Sequence, residues 1–114
     1  MWRLTLILVL TSVIGAVAQS ISGGTSTGAT ISMSGHAATF TWSSVATATC
    51  YSVYRATTPG GETGSTPIAA CIVPTKFVDW SVKRGTTYYY TVTATNSFGE
   101  GPMSSEVSGT TPSP

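Results

Sequence analysis

Along the chain, apolar and polar residues alternate with a period of two over several short runs. The clearest is Tyr88-Tyr89-Tyr90-Thr91-Val92-Thr93-Ala94-Thr95, where Tyr88, Tyr90, Val92 and Ala94 share one face and Tyr89 with three threonines shares the other. Successive side chains of an extended chain point to opposite sides, so this pattern predicts a strand buried on one face only. Ala38-Thr39-Phe40-Thr41-Trp42 repeats it with Phe40 and Trp42 inward, and Tyr51 and Val53 do the same in the run from Tyr51 to Arg55. Ile31 with Met33, Phe77, and Val107 supply apolar points for three further short strands. Turn-forming residues separate these runs, and no helix-period segment follows residue 18. Short strands with regular turns predict an all-β sandwich or barrel.

The first residues follow a different logic. Met1-Trp2-Arg3 precedes an apolar stretch from Leu4 to Ile14, and Ala16-Val17-Ala18 then provides the small-x-small pattern of a secretory cleavage site. This is the form of a signal peptide over residues 1–18. A membrane anchor is the competing reading, but the apolar run falls well short of the ~20 residues that span a bilayer, and Gln19 onward is polar. The expected product is therefore secreted, extracellular or at the cell surface, with no membrane association after cleavage. Residues 19–29 are rich in Gly, Ser and Thr and read as a flexible linker. Residues 113–114 close a Thr-Pro-Ser-Pro tail that reads as the start of another.

From Gln19 onward, Arg55, Lys76, Lys83 and Arg84 balance Glu62, Asp79, Glu100 and Glu106, a formal charge of zero. A neutral chain with so few charges is not built to hold a phosphate backbone, which excludes nucleic acid as a partner. Its solubility rests on Ser and Thr.

Cys50 and Cys71 are the two cysteines, and an even count in an oxidising compartment favours a disulfide. Between them, Thr57-Thr58-Pro59-Gly60-Gly61-Glu62-Thr63-Gly64 reads as a turn-rich bend and Pro67-Ile68-Ala69-Ala70 as a returning strand. A bend centred near Gly60 and Gly61 would set Cys50 opposite Cys71. Two free thiols for metal or redox work are the alternative. A metal would need further His or Cys ligands, and His36 is the single histidine.

Taken in order, these segments resemble the fibronectin type III family, and especially its versions in exported bacterial proteins. The resemblance runs from about Ala29 to Pro112, so the domain is assigned to residues 30–112. It rests on Phe40-Thr41-Trp42 for the second strand, Tyr51-Ser52-Val53-Tyr54-Arg55 for the third, Val82-Lys83-Arg84-Gly85-Thr86-Thr87-Tyr88 for the turn into the sixth, and Ala94-Thr95-Asn96-Ser97-Phe98-Gly99 where that strand ends. It implies an immunoglobulin-like β-sandwich of seven strands with Phe40, Trp42, Tyr51, Val53, Val82, Tyr88, Tyr90, Val92 and Ala94 in the core. It also implies that Tyr88 is the tyrosine-corner residue, bonding backbone near Val82 to Gly85. Arg84 departs from the pattern, standing where a proline is common, and the cysteine pair is not a general feature of the family.

Chemistry is sparse. His36 and Asp79 are the only residues of their types, so an oriented nucleophile–base set is not expected. Paired-carboxylate work would need two of Glu62, Asp79, Glu100 and Glu106 to converge, and the predicted turns put them in separate loops. Gly23-Gly24-Thr25-Ser26-Thr27-Gly28 lacks the Gly-Lys-Ser/Thr ending of a phosphate loop. No catalytic residue, cofactor site or metal site is therefore assigned, and the chain is not expected to be an enzyme. Binding fits better, because loops vary freely on a rigid frame. Tyr54 and Tyr89 on the outward face, Trp80 beside the corner, and Phe98 are the candidate binding surface; the blander alternative is that Trp80 and Phe98 cap the core ends and the tyrosines are cross-strand neighbours. The expected function is a spacer or protein-interaction module of an extracellular assembly. A carbohydrate-binding accessory module is the alternative, so the partner is an extracellular protein or a polysaccharide. The protein is expected as a monomer or weakly self-associating through low-charge edge strands.

Overall fold

A computed structural model of the chain describes residues 24–113. The signal peptide over 1–18, the start of the linker at 19–23 and Pro114 lie outside the described residues. Eight strands follow one another: β1 (Thr30–Met33), β2 (Ala38–Thr41), β3 (Cys50–Ala56), β4 (Ala69–Ile72), β5 (Lys76–Asp79), β6 (Thr87–Asn96), β7 (Gly99–Glu100) and β8 (Val107–Thr110). They form two antiparallel sheets. One has the order β1-β2-β5; the other runs β4-β3-β6, with β7 and β8 both on the far side of β6.

The expected seven strands become eight because the last edge strand is broken. β7 pairs with Thr95 and Asn96 at one end of β6, and β8 with Thr87–Tyr90 at the other. Between them the chain keeps contact through the Gly101 and Ser104 N–H groups, bonded to the Ala94 and Val92 carbonyls at 2.8 and 2.9 Å. Pro102, lying between, has no N–H to give, so a regular ladder cannot run through it. The Ser104 hydroxyl fills part of the gap by accepting the Val92 N–H at 3.0 Å.

All nine core residues expected from the alternation and the resemblance are buried together between the sheets. Phe40 packs on Trp42 and Tyr90, with ring centroids 5.2 and 5.6 Å apart, and Trp42 meets the edge of Tyr51 at 5.5 Å. Tyr88 forms the corner: its hydroxyl accepts the Lys83 N–H at 2.8 Å. Arg84 in place of a proline does not leave this turn unsupported. The buried Thr111 accepts the Thr86 N–H at 3.0 Å and donates its hydroxyl to the Lys83 carbonyl at 2.5 Å, while Gly85 N–H reaches the Pro112 carbonyl at 3.1 Å.

The linker reading of 19–29 does not hold for residues 24–29: Ser43 N–H bonds the Thr27 carbonyl at 2.9 Å, the buried Ser26 donates to the Ser43 carbonyl, and Ala29 packs on the core. Small hydroxyl residues read as tether because they lack apolar bulk, yet they also dock closely on a neighbouring strand. The half-buried reading of Tyr88–Thr95 fails in the middle of the strand, while Tyr89 and Thr95 stay partly exposed. Thr91 and Thr93 on the outer face are buried, as are Ser52 and Tyr54 beside them on β3, because the connections 57–65 and 100–104 fold over that face.

Cys50 and Cys71 are disulfide-bonded, with Cα atoms 4.8 Å apart. The pairing differs from the simple hairpin expected. Tyr51 pairs with Ile72 and Val53 with Ala69, so β4 carries one extra residue opposite Ser52. Cys71 sits in this bulge at φ 52° and its N–H bonds the Ser52 hydroxyl at 3.2 Å. A bulge re-aims a side chain, and here it turns Cys71 toward Cys50 across the register. Replacing both cysteines by alanine is expected to lower unfolding free energy by roughly 3 kcal/mol, the chain-entropy value for a loop of this length. Hydrogen exchange should quicken in β4 before β3 or β6; unchanged denaturant midpoints would contradict this.

Candidate functional site

Among the described residues, ionisable side chains gather at one site inside the domain and one on its outer face. The inner one is built on Asp79, the last residue of β5, which is buried between the sheets with 3% of its surface exposed. Its Oδ2 accepts Arg55 Nη1 at 2.8 Å and the Tyr90 hydroxyl at 2.6 Å, and its Oδ1 accepts the Ser81 N–H and hydroxyl at 3.0 and 2.6 Å. Burial by itself raises a carboxyl, but the bonds from Ser81, Tyr90 and Arg55 outweigh it and hold Asp79 below the usual aspartate range. Burial foremost, and then the bond to the Asp79 carboxylate and its charge, raise Tyr90 above the usual tyrosine range, against the opposing pull of Arg55. Arg55 also lies over the Tyr88 ring, 5.1 Å from its centroid. Every oxygen of this carboxylate is engaged, which makes the group a brace between the sheets.

The alternation of β3 and β6 singles out Tyr90 and Arg55 as inward positions, but nothing in the sequence marks Asp79 as their partner. It follows Lys76-Phe77-Val78 and precedes an exposed Trp80, and a lone aspartate there reads as a loop residue.

The outer site is formed where two connections cross the larger sheet. The β3–β4 connection is a chain of tight turns: Thr58-Pro59-Gly60-Gly61 closes with Gly61 N–H on the Thr58 carbonyl at 3.1 Å, and Glu62-Thr63-Gly64-Ser65 with Ser65 N–H on the Glu62 carbonyl at 3.0 Å. Gly60 and Gly64 take φ of 74° and 79° at the third position of each turn, where a side chain would be strained. The chain thereby folds back and buries Glu62, leaving 1% of it exposed.

Glu62 and Glu106 do meet, contrary to the expectation of separate loops. The turns bring Gly60 N–H onto Glu106 Oε2 at 2.7 Å, which sets the two carboxyl groups side by side. Burial first, and then the neighbouring Glu106 carboxyl, push Glu62 up to about 7. Its Oε2 has no hydrogen-bond partner among the described residues. Two such groups cannot both remain ionised comfortably, so Glu62 holds a proton through weak acid.

Beside this pair lies a recess of about 420 Å³, lined by Tyr54, Thr93, Glu100, Pro102, Met103 and the Thr63–Ser65 turn. Tyr54, expected as an exposed binding residue, is only 7% exposed; the two connections cover it and its hydroxyl donates to Glu100 Oε2. Thr93 donates to the same oxygen at 2.6 Å. Burial and Glu100 together raise Tyr54 above the usual tyrosine range.

The other expected surface residues are scattered. Trp80 is 74% exposed and Phe98 65%, but Trp80 precedes the start of β6 and Phe98 follows its end. A ten-residue strand, about 30 Å long, stands between them. Tyr89 is half-buried. His36 lies exposed in the β1–β2 turn, and among the described residues no group of three or more His, Cys, Asp or Glu is placed to hold a metal ion.

Acidity divides the roles of these carboxyls. Glu62 is raised from 4.5 to about 7 on folding, so its stabilising contribution is complete below pH 4.5 and is lost as pH rises through 7. Asp79 is lowered from 3.8, so its contribution is present above that value and is lost on further acidification. The melting temperature is expected to peak in weak acid, near pH 4.5 to 5, and to fall toward pH 8. Glu62→Gln should flatten the neutral limb and leave the acid limb intact; an unchanged profile in that variant would refute the assignment.

No protein-family model matches the sequence, and no curated protein matches it. Solved structures do. An Fn3-like protein from Clostridium thermocellum is 33% identical, with 80% of this chain covering 95% of that one at a TM-score of 0.72. The sixth fibronectin type III domain of human fibronectin type III domain containing protein 3 is 23% identical, covers 81% of this chain and 88% of its own, and has a TM-score of 0.66. The three-domain FN1-FN3 fragment of chicken CNTN1 is 18% identical with a TM-score of 0.65 over 79% of this chain, which spans 32% of that fragment. The last two share the fold; the first, at its identity and coverage, together with the Tyr88 corner and the two-sheet order, places this chain in the fibronectin type III family.

Proposed function

We propose that this domain is a non-catalytic interaction module of a secreted, extracellular assembly. The observation that carries the reading is the outer face of the larger sheet, where two connections fold over Tyr54 and Thr93 and leave a shaped recess instead of a plain solvated face. Plain spacing between neighbours would need no such recess.

Catalysis finds little support in the same geometry. Asp79 is saturated with donors, and Glu62, the carboxyl with the most catalysis-like acidity, is sealed from any substrate. Export is supported by the leader-like residues 1–18 and by the Cys50–Cys71 disulfide, since such bonds persist in oxidising compartments.

The exposed Trp80 favours a second reading, a carbohydrate-binding module, because an indole face stacks well on a sugar ring. Its distance from Phe98 weighs against a continuous aromatic platform.

The test is to express the chain with its own leader in its native cell and to cross-link at the cell exterior. A product that begins at Gln19, carries the closed disulfide and forms a discrete protein adduct is expected. Retention inside the cell with both thiols free would refute the reading. Depletion by insoluble polysaccharide that Trp80→Ala abolishes would replace it with the carbohydrate module.

A further inference from the structure

The charges that cancel from Gln19 onward are separated in space. Arg55 is engaged inside by Asp79. Lys76 lies in β5 of the smaller sheet, and Lys83 and Arg84 in the corner before β6, with the Arg84 guanidinium against Gly35 of the β1–β2 turn. Glu62, Glu100 and Glu106 stand on the outer side of the larger sheet, at or beside the recess. No Lys or Arg lines that recess.

We propose that the recess over Tyr54 and Thr93 is a binding site for a lysine or arginine side chain of a partner protein, with Glu100 as its counter-charge. The proposal rests on the interaction-module reading and names the chemistry of its site. Tyr54 and Thr93 both donate to Glu100 Oε2, which fixes the carboxylate without using Oε1. An acceptor held in place by two buried residues loses little freedom when a ligand arrives, and hydrogen bonds between ionised groups are the stronger kind.

The walls suit the rest of such a side chain. Pro102 and Met103 offer apolar surface for a methylene stem, as long charged side chains prefer, and Gly64 in the lining has open space beside its Cα. At about 420 Å³ the space is ample for the end of a long side chain. Anions are disfavoured by Glu100 and by the neighbouring Glu106. A metal would find a single carboxylate in the lining, where hard cations take six or more oxygens.

The probes are two blocked tripeptides, acetyl-Gly-Lys-Gly-amide and its norleucine analogue, which keeps the stem and lacks the charge. Titrated into the labelled domain, the lysine peptide should move the amide resonances of Gly64, Thr93, Gly101 and Met103 saturably. Binding should weaken tenfold or more for norleucine, and likewise in Glu100→Gln, which keeps an acceptor for Tyr54 and Thr93. Thr63→Arg supplies a competing cation from the exposed rim and should block the site even if Glu100→Gln disturbs folding. Equal shifts from both peptides, or none at these residues, would overturn the proposal. The exterior cross-linking adduct would then survive Thr63→Arg, so the broader reading would stand or fall separately. Sedimentation separates the sources of the cation: association that Glu100→Gln abolishes assigns it to a second copy of this chain, and a monomer in both proteins assigns it to a different one.

Discussion

The Asp79 carboxylate, set between the two sheets, is the contact on which the arrangement of the domain depends. It belongs to the smaller sheet, and two of its donors, Arg55 and Tyr90, belong to the larger. A charge buried in this way is tolerable only with its partners in place; removing one leaves an uncompensated ion, a loss of several kcal/mol. The brace therefore fixes how the sheets sit face to face. Arg55, held by Asp79 and Ser81, lies over Tyr88, and Tyr88 in turn anchors the corner through Lys83. Thr111 locks the far side of that corner and so draws the end of the chain into the same assembly. Apolar burial drives the sheets together without specifying their mutual orientation, and these directional bonds supply that specification.

A second consequence follows from burying β3 and β6 on both faces. The inner face of these strands is filled by aromatic and aliphatic side chains, and the outer face is closed by the turns of the β3–β4 connection and by Gly101–Met103. Glu62 is carried inward by those turns, so the covering depends partly on one protonated carboxyl. Apart from the Arg55–Asp79 pair, acidic and basic groups end up on different sides of a stretch whose formal charge, from Gln19 onward, is zero. A zero net charge describes solubility and long-range attraction poorly once the charges are segregated.

Much of the frame was legible in the residues because strand alternation is a local property. Phe40 and Trp42, Tyr51 and Val53, and Tyr88 through Ala94 each announce a buried face within a few positions, and Val82 with Tyr88 follows from the order of family segments. What was not legible depends on contacts distant in sequence. Tyr54 and Thr93 look outward by parity, and only the fold-back of residues 57–65 shows that outward is not exposed. The meeting of Glu62 with Glu106 needs the same fold-back, which brings Gly60 onto the residue just before β8. The extra residue at Cys71 belongs to this class as well: spacing suggested the disulfide partners, but the bulge that aligns them is a product of pairing with Ser52.

The structural role of the buried polar groups starts at Asp79. A double-mutant cycle in equilibrium unfolding, Asp79→Asn against Tyr90→Phe near pH 6, measures it directly. Each single change should lower stability by about 2 kcal/mol or more, the value of a hydrogen bond to a charged group. The double variant should lose less than the sum by roughly 1 to 3 kcal/mol, the signature of two residues acting as one contact. Losses that add within about 0.3 kcal/mol would show that the two groups act independently, and the brace between the sheets would have to be sought elsewhere.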